Sequence, residues 1–371
     1  MAVIFTKNYL DTDLLSTGNS WVIKFASDSA TAPNYARVSF LGETFNIDPD
    51  LNGDFTFDFY TAISNKVNAN NFNDQQNDVD ISTESSALLN DGTTYLKINV
   101  SISVFIPNLQ TQIYSQEYRF KTSVLDEEAH ELGFKNIDSV FDVLLPQVSE
   151  EFHMQGTDTQ PLDFSVYSQS NTVLNLTNET NGTIKNINVT EGINRVFLQD
   201  GRGNEIGVLI LDEGLNRIRV TSALDSLNPR YINITIKGGS CCSVLKWLNL
   251  EGGFGYHVFQ HKTEDYSSKT RDFIENDYAT FDDYESSTSS TGVDMITLLG
   301  FTSIRVTSTE LPSLEGLISS PKVYQLLTKS DGLPLWKERV FKKGEMRLKQ
   351  TGKNVFDFEI ETFKTKKGYR L

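Results

Sequence analysis

From Leu96 to Ile106 the chain sets Leu96, Ile98, Val100, Ile102, Val104 and Ile106 at every second position, with Lys97, Asn99, Ser101 and Ser103 between them. A helix would scatter these residues around its axis, whereas a strand sends one set to each face. A run with one apolar and one wetted face belongs to an antiparallel sheet packed on one side. Pro107-Asn108 turns it towards a second strand marked by Tyr114, Tyr118 and Phe120, which predicts a long hairpin. The same alternation recurs at Trp21, Ile23 and Phe25 and at Phe55, Phe57 and Phe59.

With 24 Phe and 14 Tyr, and with Gly and Asn at frequent turns, the composition agrees with a mainly β chain. At roughly 100–200 residues per domain, 371 residues imply two or three. The expected fold is two to three antiparallel β-sandwich or split-barrel domains with one or two short helices. The divisions expected are an N-terminal β domain over 1–148, a small immunoglobulin-like sandwich over 149–239, and a C-terminal β domain over 240–371. Asp126 to Gly133 and Glu310 to Ser319 read as short helices, the second with Thr309 as N-cap and Leu311, Leu314, Leu317 and Ile318 on one face. Asn68 to Asp91 and Lys262 to Gly292 lack periodicity and read as long loops.

Two local patterns stand out. Ser243 to Leu248 and Phe254 to Phe259 read as an aromatic hairpin reversed at Asn249-Leu250-Glu251-Gly252-Gly253. Glu191-Gly192-Ile193-Asn194-Arg195-Val196 is echoed 22 residues later by Glu213-Gly214-Leu215-Asn216-Arg217-Ile218, which reads as two turn-plus-strand units of one small sandwich.

Net charge is −16, against sequence-independent nucleic-acid binding. Lys322 to Leu371 reverses the balance, with 13 Lys and Arg against 6 Asp and Glu, leaving 20 basic and 43 acidic residues elsewhere. A basic end on an acidic body suits head-to-tail contact between copies; it also suits a basic outer face on one domain. The only cysteines, Cys241 and Cys242, are adjacent and cannot build a disulfide framework, consistent with synthesis in a reducing cytoplasm. No apolar run approaches the length of a membrane span, and no secretory signal is evident. The N-x-Ser/Thr matches at Asn99, Asn175, Asn178, Asn181, Asn188 and Asn233 then read as ordinary strand and turn composition.

Asp48, Asp50, Asn52 and Asp54, with Gly53 between the last two, place oxygen ligands at alternating positions as a calcium loop does. Phe59 occupies the place of the closing bidentate Glu, and Phe55 starts a strand, so a polar hairpin turn competes with the calcium reading. His257 and His261 would pair on a helix, but on a strand they lie about 13 Å apart. With His130 and His153 the only others, there is no ready histidine triad, and no nucleophile elbow accompanies them. Gly252-Gly253-Phe254-Gly255 lacks the phosphate-loop lysine. The 49 carboxylates leave a glycosidase pair open but mainly describe solvated faces. No cofactor and no enzymatic activity are expected.

The order Cys241-Cys242, Leu245-Lys246-Trp247-Leu248-Asn249, Gly252-Gly253 and the aromatic strand to Phe259 resembles virion proteins of tailed bacteriophages of Bacteroidota. Ser16-Thr17-Gly18-Asn19-Ser20-Trp21-Val22 agrees, and Leu298 to Phe363 is similar to distal-tail, or baseplate, proteins. In that family the ring-forming domain is usually N-terminal, so its C-terminal position here leaves other baseplate or adaptor roles open. The resemblance implies a hexameric ring of this chain at the tail tip, neighbouring tail proteins as partners, and location in the virion after synthesis in the host cytoplasm. The interface expected for such a ring comprises Trp247, Phe254, Tyr256, Trp336, Lys337, Arg339, Lys342 and Lys343. The alternative is a receptor- or carbohydrate-binding adhesin using aromatics such as Tyr266, Tyr278, Tyr284 and Trp336 to meet a host glycan.

Overall fold

The computed structural model describes residues 2–11, 13–64, 66–67, 87–89, 94–109, 111–123, 140–148, 151–158, 160–200, 209–238, 243–270, 273–276, 287–290, 292–308, 310–328, 334–341, 347–352 and 355–370. The chain is mainly β, in three units. In the first, β1 (Val3–Lys7), β2 (Leu14–Ser16), β3 (Val22–Ser27), β4 (Tyr35–Phe40), β5 (Glu43–Ile47) and β6 (Phe55–Asp58) lead to the one-turn helix α1 (Tyr60–Ile63). After β7 (Ala87–Leu89) come β8 (Tyr95–Phe105) and β9 (Gln112–Lys121). A sheet ordered β1-β3-β6 covers one ordered β2-β9-β8-β4-β5. The alternating residues do what their spacing dictates: Ile23, Phe25, Ile98, Val100, Ile102 and Val104 meet in the core between the sheets. Asn108, with φ of 59°, turns β8 into β9.

The second unit contains β10 (Phe141–Val143), β11 (Gln147–Val148), β12 (Glu151–Gly156), β13 (Pro161–Ser168), β14 (Thr172–Asn178), β15 (Ile184–Val189), β16 (Gly192–Asp200), β17 (Gly214–Ser222) and β18 (Asp225–Ile236). Its sheets are ordered β10-β13-β16-β7 and β11-β12-β18-β17-β14-β15, and β12 runs parallel to β18. The expected loop over 68–91 thus contains a strand, β7, which crosses from the first region to pair with β16. Three residues are too short for a periodic signal; the partner strand defines them. The expected cut at 148 also falls beyond β10 and β11, which pair within this second unit.

The third unit takes β19 (Ser243–Leu248), β20 (Phe254–Phe259), β21 (His261–Thr270), β22 (Phe273–Asn276), β23 (Ser287–Ser290), β24 (Gly292–Thr307), helix α2 (Leu311–Ser319), β25 (Val323–Thr328), β26 (Pro334–Phe341), β27 (Arg347–Gly352) and β28 (Val355–Arg370). Its large sheet runs β20-β19-β25-β26-β28-β24-β21, with β27 added to β28. The expected loop over 262–292 carries strands instead: β21 is completed by β24, and β22 pairs β23. Ladder bonds to a distant strand impose a regularity that Ser, Thr and acidic side chains do not advertise. Helix α2, at nine residues, is marginal alone. Leu314 and Leu317, fully buried, anchor it, each contributing about 1.5–3 kcal/mol. Cys241, Cys242 and the expected helix at 126–133 lie outside the described residues.

The hairpin β19–β20 joins all three units. Val244, Leu248, Phe254, Tyr256 and Val258 enter the second unit's core, which also takes Tyr324 and Trp336. Leu245, Trp247 and Phe259 enter the third unit's core. Both faces of the hairpin are therefore dry. Gly255 is where Trp247 fits, since a Cβ there would lie 2.9 Å from the indole. Lys246, buried, holds its ammonium 4.2 Å from the Trp336 ring and 5.5 Å from those of Phe254 and Tyr324, a cation–π cage. At the tip, Lys121 Nζ of the first unit donates to the Glu251 carbonyl at 3.0 Å, and Asn249 Nδ2 donates to the Leu144 carbonyl of the second at 3.0 Å.

Candidate functional site

Strand parity builds the outer face of the six-stranded sheet. Buried residues of β12, β18 and β17 alternate with outward ones, and the register aligns the latter in rows: His153 beside Asn233 beside Arg217, then Gln155 beside Thr235 beside Leu215. Farther along, Asn175 lies opposite Asn186 and donates to its Oδ1 at 2.8 Å. This explains the N-x-Thr matches at Asn175 and Asn233: period two puts Asn and Thr on the same outer face. The result is a wide surface of amides and hydroxyls.

The 22-residue echo is a repeated turn clamp, one copy in each sheet. Asn194 accepts from Thr190 N at 3.1 Å and donates to Thr190 O at 2.8 Å; Asn216 accepts from Asp212 N at 2.9 Å and donates to Asp212 O at 2.7 Å. Gly192 and Gly214 supply the positive φ, 105° and 97°. The arginine that follows diverges in use. Arg195 is buried against Asp163, at 2.6 Å from Nε to Oδ2. Arg217 points outward, lies 4.2 Å from the Tyr231 ring and pairs with Glu151 at 2.7 Å and Glu179 at 3.3 Å.

The third unit closes over the end of this face, and a cleft of about 560 Å³ remains. Glu151, His153, Gln155, Leu215, Arg217, Asn233 and Thr235 form one wall; Tyr256, His257, Thr307 and Glu310 come from the other side. Both oxygens of Glu151 are occupied, Oε1 by Arg217 and Oε2 by Asn233 Nδ2 at 2.6 Å. The bonds from Asn233 and then Arg217 hold its carboxyl below the usual range. Glu310 Oε2 accepts from Thr307 N at 2.9 Å and Thr307 Oγ1 at 3.0 Å, while Oε1 accepts from Gln155 Nε2. Burial lowers the His153 pKa, keeping the ring neutral at pH 7.

His257 lies deeper, 2.8 Å from Ser303 Oγ, and burial pushes its pKa down to about 3. The folded state resists a proton that the unfolded chain accepts near pH 6.5, so its contribution is fully present above that pH. Each unit of acidification below it removes about 1.4 kcal/mol, down to a pH near 3. Denaturant titrations at pH 7 and pH 5 are expected to show this loss, and His257→Gln to flatten it.

The structure does not assemble the residues expected at an interface into a surface. Trp247, Phe254, Tyr256 and Trp336 are buried in the chain's own cores, and Arg339 is buried, donating to Gln325 Oε1 at 2.9 Å. The junction these aromatics fill lies between units of one chain. Lys337 is exposed on β26, while Lys342 and Lys343 lie outside the described residues. Of the other aromatics, Tyr266 is exposed and donates to Glu264 at 2.9 Å; Tyr278 and Tyr284 lie outside the described residues. Asp48, Asp50, Asn52 and Asp54 sit on the turn before β6. There Asp50 Oδ1 accepts from Asn52 N at 2.8 Å and Asp54 N at 2.9 Å, and Gly53 has a φ of 85°. Among the described residues no group of three or more His, Cys, Asp or Glu is placed to hold a metal ion. His261 is exposed on β21, apart from buried His257, and His130 lies outside the described residues.

Sequence reasoning does not single out Glu151, Gln155 or Glu310, and His153 enters it only as an isolated histidine. The signal available was the N-x-Thr alternation, which marks an outward polar face, and the echo, which carries Arg217.

Among the described residues no helix is long and apolar enough to cross a membrane. No family model matches the sequence, and no curated protein matches it. Solved structures similar to parts of it include the fibronectin(III)-like modules of Clostridium thermocellum CbhA, at 9% identity over 64% of this chain and 94% of that one, with a TM-score of 0.21. A 1.5-MDa bacterial ice-binding adhesin matches at 10% identity over 87% and 89% of the two chains, with a TM-score of 0.18. A tetra-tandem repeat from the extending region of a large adhesion protein matches at 10% identity over 97% and 65%, with a TM-score of 0.24.

Proposed function

We propose that this chain is a non-enzymatic structural protein of a tailed-phage virion, made in the host cytoplasm and assembled as a distal-tail-like ring that connects the tail to host-binding parts. The observation that carries the reading is the hairpin tip at Asn249–Gly253, which touches the first and second units while its strands fill the second and third cores. Three β units that share one hairpin form a single subunit for a ring. The sequence resemblance and the basic region from Lys322, opposite an acidic remainder, support self-association between unlike faces. Light scattering with negative-stain imaging tests it: closed rings are expected, strengthened at low salt. A monomer at all concentrations and salt levels overturns the proposal.

A second reading, a receptor- or carbohydrate-binding adhesin, is favoured by the polar cleft beside an amide-rich sheet face.

A further inference from the structure

The geometry points to the cleft between the six-stranded sheet and the third unit as a binding site for a neutral, hydroxyl-bearing sugar residue of a surface glycan, an inference that rests on the adhesin reading. Its volume, about 560 Å³, falls within the range of small-molecule sites, about 300–1,000 Å³. The ligand's chemistry follows from which polar atoms are already satisfied. The oxygens of Glu151 and Glu310 all accept hydrogen bonds from the protein, so these carboxylates brace the walls.

Their charge still acts at a distance. Among the lining residues two carboxylates, Glu151 and Glu310, face one cation, Arg217, which already pairs with Glu151, so the walls do not attract an anionic sugar. Gln155 supplies the positive requirement. Its side chain is 3% exposed, and its Nε2 donates to Glu310, which fixes the amide's orientation. Among the described residues that leaves Gln155 Oε1 buried without a donor, a condition that costs about 1–3 kcal/mol. A ligand hydroxyl donates there. The Thr235 hydroxyl, on the residue opposite Gln155 in the sheet, can both donate and accept, the pairing that a polyol offers in return. The ladder of Asn175 and Asn186 beyond extends the same chemistry for further sugar units.

A glycan array carrying neutral, sialylated and uronic-acid oligosaccharides, probed with the full chain, tests the inference, followed by calorimetric titration of the strongest neutral glycan. Neutral glycans are expected to bind. Leu215→Trp, at a 59% exposed position on the rim, and Gln155→Leu are each expected to weaken binding about tenfold or more, with Leu215→Trp melting as the parent does. Binding confined to charged glycans overturns the site. Neutral binding that survives Leu215→Trp at full strength also overturns it while leaving the adhesin reading intact. No binding to any class removes both, without bearing on the ring.

Discussion

Gly252→Ala is expected to destabilise the protein by about 2–5 kcal/mol and to loosen the first unit from the rest. Gly252 has a φ of 89°, and a Cβ there would lie 2.3 Å from the Thr122 carbonyl oxygen. Left-handed backbone costs an L-residue roughly 1–2 kcal/mol, and forced overpacking adds about 1–3. The neighbouring Gly253 presses on a different unit: a Cβ there would lie 2.2 Å from the Leu144 carbonyl oxygen. Gly253→Ala is therefore expected to release the second unit's contact first. Calorimetry checks both, because uncoupling should split one melting transition into separate ones. Gly182→Ala is the control, with a φ of 79° but open space around it; it should cost only the backbone strain, roughly 1–2 kcal/mol. Losses equal to the control's at Gly252 and Gly253 would show that the tip is not a tight junction.

The second large effect concerns Asp163. Its carboxylate grips Arg195 in two places, at 2.6 Å and 3.2 Å, and accepts from the Tyr256 hydroxyl; the guanidinium lies 4.3 Å from the Phe254 ring. Asp163 and Arg195 are both buried. Asp163→Ala takes the carboxylate from a buried guanidinium and is expected to cost about 3–5 kcal/mol, whereas Asp163→Leu with Arg195→Met should recover part of it, because the buried charges go together and only the Tyr256 hydroxyl loses its acceptor. Chemical denaturation of the single and double variants measures the difference. If the double variant is as unstable as the single one, the pair contributes more than mutual neutralisation.

These two sites mark where the sequence could and could not be read. Strands with one wetted face, such as Tyr95–Phe105, announce themselves by alternation, and the hairpin over 243–259 is legible from its glycine turn. Pro161–Ser168 and Phe254–Phe259 are buried along their whole length. Polar residues such as Asp163 and His257 survive there because partners meet them inside, so period two vanishes and Tyr256 passes for a surface aromatic. The parallel ladders of β2 with β9 and β12 with β18 join segments about 80 to 105 residues apart, which local patterning cannot reveal. The cleft was hidden for the same reason: its walls come from strands distant in the chain, and only Arg217 and the Asn-x-Thr residues carried a local trace.

The shared hairpin also orders events during synthesis. The first unit's core is complete once Phe120 has left the ribosome, and it can fold while translation continues. The second cannot follow it in turn, because Tyr256, Tyr324 and Trp336 belong to its core, and the last two emerge about 100 residues after its last strand begins. For that interval a half-built sandwich must wait with its apolar face open, so the nascent chain is most vulnerable to aggregation in the middle of its own translation, and a gene cut at residue 239 would make that transient state permanent.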